Sequence, residues 1–427
     1  MTVYNQIEQS YEFFTQKIQE YGLILLHPDS KFRSVNIAKL LSDENFDTTY
    51  YTFKQDDDNL KSFIIHLTIA INIKFPYFGD HVFTLAPEIM QNSQENIDSI
   101  LNAFLLDLKN IQNKSFILLF DDYDLCEKVD DIQLFIQKFL IRLPDNIHII
   151  INGRSLPRNS WVSLIAQNRA LILKDNELLI SDFHQTTNQT QAPLQIYGLG
   201  PSMIIYQNNL VEDWEGHLPK LLLFYTLNRP KVTRFELCNA FWKGLDTEQA
   251  INIFHVSKRR LHKAVDVDLL YHDDGFYFID PTQNYYFDAL DFAESLSKAR
   301  EATDQQKQTH YQRALQLYRG DYLQGHEEKW IQVYRKAFRK GFIEAKLNLA
   351  HYYTDQTQYS IALQHLLDAS EYDPFNHGIH QQILTLYHHL GRRMEGVEYF
   401  HHYLSNMLKE KLRPDKKVMD AYEALTS

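Results

Sequence analysis

Short apolar runs separated by helical segments constrain the first part of this chain most strongly. Three such runs, residues 22–26, 116–120 and 148–152, consist mainly of Leu, Ile and Phe. Before and between these runs, apolar residues repeat at helical spacing over 4–21, 35–41, 60–73 and 93–111. Short buried runs that alternate with amphipathic helices are typical of a parallel sheet with both faces covered. Residues 1–190 are therefore predicted to form an α/β domain.

The pattern changes after a Thr-, Gln- and Asn-rich stretch, residues 185–191, which we interpret as a linker. Residues 194–211 favour a small antiparallel sheet with Asn208-Asn209 as its hairpin turn. Three helical segments follow at 218–227, 234–242 and 247–265, and then a hairpin that turns at Asp273-Asp274-Gly275. Sheet, three helices and a terminal hairpin predict a winged helix-turn-helix at about 194–294.

The last region, 295–427, is helical in pattern. Between Phe342 and Pro374, small and large apolar residues alternate as in a tetratricopeptide helix pair, whose repeat is about 34 residues. A weaker copy starts at His377. Such pairs stack because neither helix buries its apolar face alone. With 427 residues, the chain is too long for one core, and we predict a multidomain α/β plus α protein.

The formal net charge of −12 excludes a protein whose whole surface is basic. Binding to nucleic acid would then depend on a local basic patch. The two cysteines, Cys126 and Cys238, are far apart in the sequence and do not indicate a disulfide framework. No stretch has the length and hydropathy of a membrane span, and the N-terminus lacks a signal-peptide layout. We expect a cytoplasmic protein without membrane contact.

The segment 247–265 carries the main functional signal. On a helix, one face is apolar and includes Phe254, Ser257, Leu261 and Val265, so it would pack against the domain. The opposite face is basic and polar, as a helix that enters a major groove requires. Its candidate DNA-binding residues are His255, Arg259, Arg260, His262 and Lys263, with Lys258 at the boundary and able to extend toward phosphate. A solvated face of an ordinary amphipathic helix is the alternative.

The same segment resembles the recognition helix of the antibiotic-regulatory-protein (SARP) group, a branch of the OmpR-type winged helices. The shared features are an Asn, the His255-Val256 pair and the basic-basic-Leu-basic-basic tail. Residues 236–242 resemble the preceding helix and 268–280 the wing, where Tyr271 and His272 would touch the DNA backbone or minor groove. Residues 314–330 resemble the start of the family's bacterial transcriptional activation domain. The resemblance covers about residues 194–427.

The approach to the first of the three helices departs from this family pattern. It carries Glu212, Asp213 and Glu215, offset by Lys220 alone. Three cations, Arg229, Lys231 and Arg234, precede the second helix, where a phosphate contact would be useful. The first segment is therefore not expected to anchor phosphate strongly, and affinity is expected to be modest or to depend on pairing of two molecules on repeated half-sites.

Residues 23–38 join the first predicted strand to its helix, where a phosphate loop would lie. A working loop needs glycines, whose backbone N–H groups wrap the phosphates, and a Lys followed by Ser or Thr. This stretch has no glycine, and Arg33 and Ser34 take the place of the Lys-Ser/Thr pair. The sequence predicts no ATP hydrolysis and no resident cofactor, and it leaves residual nucleotide binding open.

Residues 116–124 resemble the acidic strand end of a nucleotide-hydrolysing domain, in which Asp121 and Asp122 would hold magnesium. Residues 149–154 resemble the next strand with its sensor arginine. Together they are similar to the signal-transduction ATPases related to the maltose-operon regulator, over about residues 1–185. A capped turn after a buried strand is the alternative explanation for the two aspartates. We predict a degenerate, P-loop-like fold that serves as a sensor, dimerisation platform or docking surface.

These features predict a DNA-binding transcription regulator, an activator, that is not an enzyme and holds no metal. Its partners would be double-stranded DNA and, through the helical repeats, RNA polymerase, another protein or a second copy of the chain. The 19 histidines include His377 and His380 on one helix face, but no third ligand is fixed nearby. Two alternatives stay open. One is an interaction adaptor derived from such a regulator, and the other is a nucleotide-switched regulator.

Overall fold

The apolar runs of the first 178 residues form a parallel sheet in the computed structural model of the chain. Among the described residues its strand order is β2-β3-β4-β1-β5-β6. Neighbouring strands are parallel except that β6 runs antiparallel to β5. The strands are β1 (Leu23–Leu26), β2 (Asp47–Thr52), β3 (Phe116–Asp121), β4 (Ile147–Ile151), β5 (Ala170–Lys174) and β6 (Glu177–Leu178). The predicted α/β class is confirmed, and β5 and β6 were not predicted.

Amphipathic helices connect these strands and cover the sheet. One core forms where Phe14 and Ile18 of the first helix pack with Ile24, Ile117 and Ile150 of the strands. Because these side chains are withdrawn from water between the helices and one face of the sheet, their burial stabilises the sheet. The helices are α1 (Val3–Glu20), α2 (Arg33–Ser42), α3 (Leu60–Asn72), α4 (Asp80–Phe83), α5 (Pro87–Gln91), α6 (Ile97–Lys109), α7 (Asp130–Ile141) and α8 (Val162–Ala166).

The structure describes residues 3–91, 96–109, 111, 115–154, 156–157, 162–175, 177–178 and 192–426. The predicted linker, 185–191, lies outside the described residues. By its contacts the chain divides into two units, Met1–Gln195 with Ile204–Tyr286, and Ile196–Met203 with Phe287–Ser427. The boundaries 1–190, 194–294 and 295–427 stay predictions.

Residues 194–287 contain the predicted order of elements. The helices are α9 (Leu218–Leu227), α10 (Arg234–Phe241) and α11 (Thr247–Val265), and the strands are β7 (Leu194–Tyr197), β8 (Met203–Tyr206), β9 (Asn209–Leu210), β10 (Val232–Thr233), β11 (Leu270–Asp273), β12 (Phe276–Ile279) and β13 (Tyr285–Phe287). Strands β10, β12 and β11 pair antiparallel in that order. One turn was misplaced, because Gln207 and Asn208 adopt positive φ and Asn209 already pairs in β9.

Local hydrogen bonds set where α10 and α11 begin. Thr233 caps α10, since its hydroxyl accepts the Glu236 N–H while Glu236 accepts the Thr233 N–H, a capping box. Asp246 caps α11 by accepting the Gln249 N–H. The helix ends at Asp266, whose φ of 57° is left-handed and stops helical bonding. The sequence predicted the bounds of α11 because both ends carry such signals.

The second unit consists mainly of helices. They are α12 (Asp288–Glu301), α13 (Asp304–Leu317), α14 (Lys329–Asp355), α15 (Tyr359–Tyr372), α16 (His377–His389), α17 (Arg393–Lys409) and α18 (Lys416–Thr426). Leu363, Ile383 and Phe400 belong to one buried core that α14 to α18 share. At Gly396 an added Cβ would lie 2.5 Å from the Leu425 side chain, so a larger residue would require that side chain to shift where α17 and α18 pack together.

A short segment before β8 is held to α12 by a buried carboxylate. Asp288 accepts the N–H groups of Gly198 and Leu199 at 2.7 and 3.1 Å and pairs with Arg319 at 3.0 Å. Burial raises the pKa of Asp288 to about 6. These bonds explain why residues 196–203 belong with the helical unit and not with the strands that follow them in the sequence.

Candidate nucleic-acid interface

Helix α11 presents the predicted apolar and basic faces. Phe254, Ser257, Leu261 and Val265 are buried, and Ala264 is partly buried. The predicted DNA-binding residues of the opposite face, His255, Arg259, Arg260, His262 and Lys263, are all exposed. The basic face is therefore open to solvent within its unit. Whether it touches DNA stays a prediction.

The C-terminal half of this face is in contact with a carboxylate of the same chain. Glu215 forms ion pairs with Lys263 and with Arg260, whose Nε lies 3.4 Å from a carboxylate oxygen. The Arg260 guanidinium also donates to the Glu215 carbonyl oxygen at 3.2 Å. The hydrogen bond from Lys263 lowers the pKa of the Glu215 carboxyl, and the same bond raises the pKa of Lys263.

Backbone geometry directs Glu215 toward α11. Glu215 has a φ of 45° and Gly216 a φ of 114°, so two consecutive residues adopt left-handed conformations. The sequence showed the acidity of this approach but not its target, because only the fold brings residue 215 to residues 260 and 263.

The remaining predicted contact residues have different surroundings. Lys258 is 24% exposed and lies 3.5 Å from an Asp268 carboxylate oxygen, so it is held toward its own domain. In the hairpin, Tyr271 is 51% exposed, and the exposed His272 ring lies 4.4 Å from the Tyr277 ring. Tyr271 is thus presented to solvent on the hairpin.

Two of the three cations before α10 are engaged inside the protein. Arg229 is 7% exposed, stacks on the Tyr225 ring at 3.8 Å and donates to the Tyr225 carbonyl oxygen at 3.1 Å. Arg229 is therefore turned into the protein and not presented for the phosphate contact that its place before α10 would favour. Lys231 pairs with the buried Glu127 and lies 4.9 Å from the Phe276 ring centroid.

The β11–β12 hairpin and β10 contact the segment that follows β3. Lys128 pairs with Asp274 at the hairpin turn at 2.7 Å, and both side chains are exposed. The Thr233 hydroxyl donates to Asp130 at 3.1 Å. With the Lys231–Glu127 pair, these contacts join the α/β region to β10 and the hairpin within one unit, and the sequence did not predict these pairings.

An aspartate carboxylate of the same chain occupies the position where a phosphate loop would bind phosphate. The Asp175 carboxylate accepts the Phe32 N–H at 3.0 Å and the Ser30 hydroxyl at 2.8 Å, at the N-terminus of α2. Arg33 donates from Nη1 to the Gly153 carbonyl oxygen at 2.7 Å, and Ser34 is exposed. A carboxylate thus makes the contacts that a phosphate would make at a helix N-terminus.

The acidic end of β3 is also satisfied by protein groups. Asp121 accepts the Asn152 amide at 2.5 Å, the Asp122 N–H at 2.8 Å and the Tyr50 hydroxyl. Asp122 follows in a left-handed conformation with a φ of 49°. The Arg154 N–H donates to Asp124 at 2.9 Å, which links the ends of β3 and β4. The arrangement is that of a hydrogen-bonded turn.

The paired histidines of α16 bond to tyrosines. His377 contacts the Tyr403 hydroxyl through Nδ1 at 2.8 Å, and His380 contacts the Tyr399 hydroxyl at 2.7 Å and the Pro374 carbonyl oxygen at 2.9 Å. Burial lowers the pKa of His380, which favours the neutral ring. Their spacing therefore reflects helix packing.

The helical unit is similar to a known family. The model of the bacterial transcriptional activator domain matches residues 287–425. The match agrees with the resemblance of residues 314–330 to the start of this domain, and the matched residues run from α12 into α18.

Curated relatives include transcription regulators that are similar to this chain over two thirds of its length. The HTH-type transcriptional regulators MalT of Vibrio campbellii and Vibrio parahaemolyticus are 24% and 23% identical over 292 residues, or 66% of this chain. The chain spans about a third of the length of these relatives, 31% in each case.

Solved structures give weaker similarity. Mycobacterium tuberculosis EmbR, in complex with a low-affinity phosphopeptide, has a TM-score of 0.44 and 16% identity, covering 55% of this chain and 65% of EmbR. The Walker-type ATPase PABY2304 of Pyrococcus abyssi has a TM-score of 0.24 and 14% identity, covering 38% and 47%. None of the helices in the described part of the chain combines the length and hydropathy that crossing a membrane requires.

Proposed function

We propose that this chain is a transcriptional activator that binds double-stranded DNA through a winged helix-turn-helix. In this proposal α9 to α11 are the three helices, α11 enters the major groove, and the β11–β12 hairpin is the wing. Arg259, His255 and His262 contact base edges, and Arg260 and Lys263 contact phosphates. The single observation that carries the proposal is the exposed basic face of α11 beside a buried apolar face.

The activator-domain match supports this function, because it associates the helical unit with bacterial transcription. We propose that the stacked helices α14 to α18 bind the transcription machinery or a second copy of the chain, in the cytoplasm. The acidic residues before α9, Glu212, Asp213 and Glu215, favour the adaptor alternative. That alternative gives no reason for the solvent-exposed Arg259.

Selection on random duplex DNA tests the proposal. We expect one recovered motif, and we expect its complex with the full chain to weaken steeply as salt rises, because cationic side chains release counterions from phosphate. Fluorescence anisotropy at several salt concentrations measures both affinity and salt slope. If selection recovers no motif while a pull-down gives a stable protein partner, the adaptor reading replaces this one.

We further propose that the α/β region has no nucleotide-dependent chemistry and no resident cofactor. The support is Asp175, whose carboxylate accepts the Phe32 N–H and the Ser30 hydroxyl, where a triphosphate would need those donors. Bringing a phosphate to this place would set two anions side by side, at a cost that rises as water is excluded. A nucleotide switch would first have to displace Asp175.

ATP is therefore expected to leave the thermal midpoint of the full chain unchanged. A ligand that binds the native state at a hundred times its Kd stabilises it by about 2.7 kcal/mol, which a melting curve readily detects. The measurement is differential scanning fluorimetry with 1 mM MgATP against 1 mM sulfate as an ionic control. A shift seen with MgATP and absent with sulfate would restore the nucleotide-switched alternative.

A further inference from the structure

The basic face of α11 divides into two parts that differ in their partners. Its N-terminal part carries His255 and Arg259, for which the structure records no ion pair among the described residues. Its C-terminal part carries Arg260 and Lys263, which both pair with Glu215. One carboxylate therefore neutralises two of the cations that would contact phosphate.

The contacts of Glu215 are those that a DNA phosphate would make. One carboxylate oxygen of Glu215 accepts a hydrogen bond from the Lys263 ammonium, and the other lies near the Arg260 guanidinium. Lysine and arginine bind the oxygens of a phosphate in the same way. The acidic segment that carries Glu215 also includes Glu212 and Asp213. It extends the same negative charge beside the end of α11.

The Glu215 contact can open without unfolding the domain. Glu215 is 37% exposed and Lys263 is 73% exposed, so water screens their ion pair and it contributes little stability. A cleft of about 460 Å³ is lined by the acidic segment on one side and by the last turns of α11 on the other. The side chain can therefore swing toward solvent while Trp214, its buried neighbour, keeps its packing.

We propose that Glu215 is a specificity-determining residue that competes with DNA phosphate for Arg260 and Lys263. The proposal rests on the proposed function. On a random duplex, binding depends on phosphate contacts alone, so neutralising two cations removes much of the attraction. On the selected duplex, Arg259 and the histidines add base contacts that do not need the neutralised pair. Glu215 thus weakens non-specific binding more than specific binding.

The test compares Glu215→Gln with the unmodified full chain on the selected and random duplexes. We expect the variant to bind the random duplex about 10-fold more tightly, and the selected duplex by a smaller factor. The slope of log affinity against log salt is expected to steepen by about 1 to 2, because each freed cation adds close to one released counterion. The ratio of specific to non-specific affinity should fall.

Two further variants isolate the contact. Glu212→Gln removes the same charge three residues away, from a side chain with no recorded ion pair among the described residues, and should leave the salt slope unchanged. In a background of Arg260→Ala with Lys263→Ala, Glu215→Gln should have no effect, since the cations it frees are gone.

The outcomes separate the two proposals. If the unmodified chain binds its motif and Glu215→Gln has the same slope and specificity ratio, the role of Glu215 is overturned while the DNA-binding function stands. An equal gain from Glu212→Gln would overturn it as well, since the effect would then be one of general charge. If neither protein binds any duplex, both proposals fall together.

Discussion

Replacing Arg259 and Lys263 together by alanine is expected to lower affinity for the selected duplex on the order of 100-fold. A base contact from an arginine gives about 1 to 3 kcal/mol of discrimination, and a lost phosphate contact weakens binding to all sequences. Both side chains are exposed on α11, so the folded state loses no buried packing. Anisotropy titrations at fixed salt measure the loss, and the salt slope should flatten by about 1 to 2.

A matched control removes two positive charges elsewhere. Lys109 and Arg413 are exposed and lie outside residues 194–287, so Lys109→Ala with Arg413→Ala makes the same change in net charge. This control is expected to bind the selected duplex within about 2-fold of the unmodified chain, because phosphate contact depends on local charge. Equal losses in the two double variants would show that net charge, and not the face of α11, governs binding.

Glu127→Ala is expected to destabilise the unit that contains the α/β region and the hairpin on the order of 3 kcal/mol. Glu127 is 4% exposed and Lys231 is 21% exposed, so removing the carboxylate leaves a largely buried ammonium without its counter-charge. Such a change lowers the thermal midpoint by about 6 °C in a unit of this size. Calorimetry gives the midpoint, and hydrogen exchange should show lost protection in β10 and β12.

The neighbouring Lys128–Asp274 pair supplies the comparison for that variant. It joins the same two segments, but its side chains are 61% and 71% exposed. Lys128→Ala is therefore expected to change the free energy of unfolding by less than about 1 kcal/mol. Similar losses for the two variants would mean that contact between the segments, and not burial of the Glu127 charge, sets the stability.

Much of the fold could be predicted because its signals are local. The bounds of α11 follow from Asp246 at one end and Asp266 at the other, and the parallel sheet follows from apolar runs of strand length. Strand β5 was missed because residues 170–174 lie next to a polar stretch without a helical pattern before them. The packing of residues 196–203 with Asp288 depends on contacts about 90 residues apart, which spacing does not reveal.

The sequence was enough to predict which residues form the candidate site, but not which ion pairs they make. Helical periodicity was enough to place Arg259 and His255 on an exposed face. It could not show that Glu215 neutralises Arg260 and Lys263, because that contact crosses 45 to 48 residues. In the same way, the absence of glycine in residues 23–38 indicated a defective phosphate loop, but Asp175 as its internal anion came from a turn 143 residues away.

The segment from Asp121 to Asp130 links the end of a central strand of the α/β region to the β11–β12 hairpin and to β10. It starts at the end of a central strand, passes through a single 3-10 turn (Tyr123–Cys126), and reaches the hairpin at Lys128. Because β10 pairs with β12, the contacts of Glu127, Lys128 and Asp130 make the position of the hairpin depend on the α/β region as well as on the helices around it.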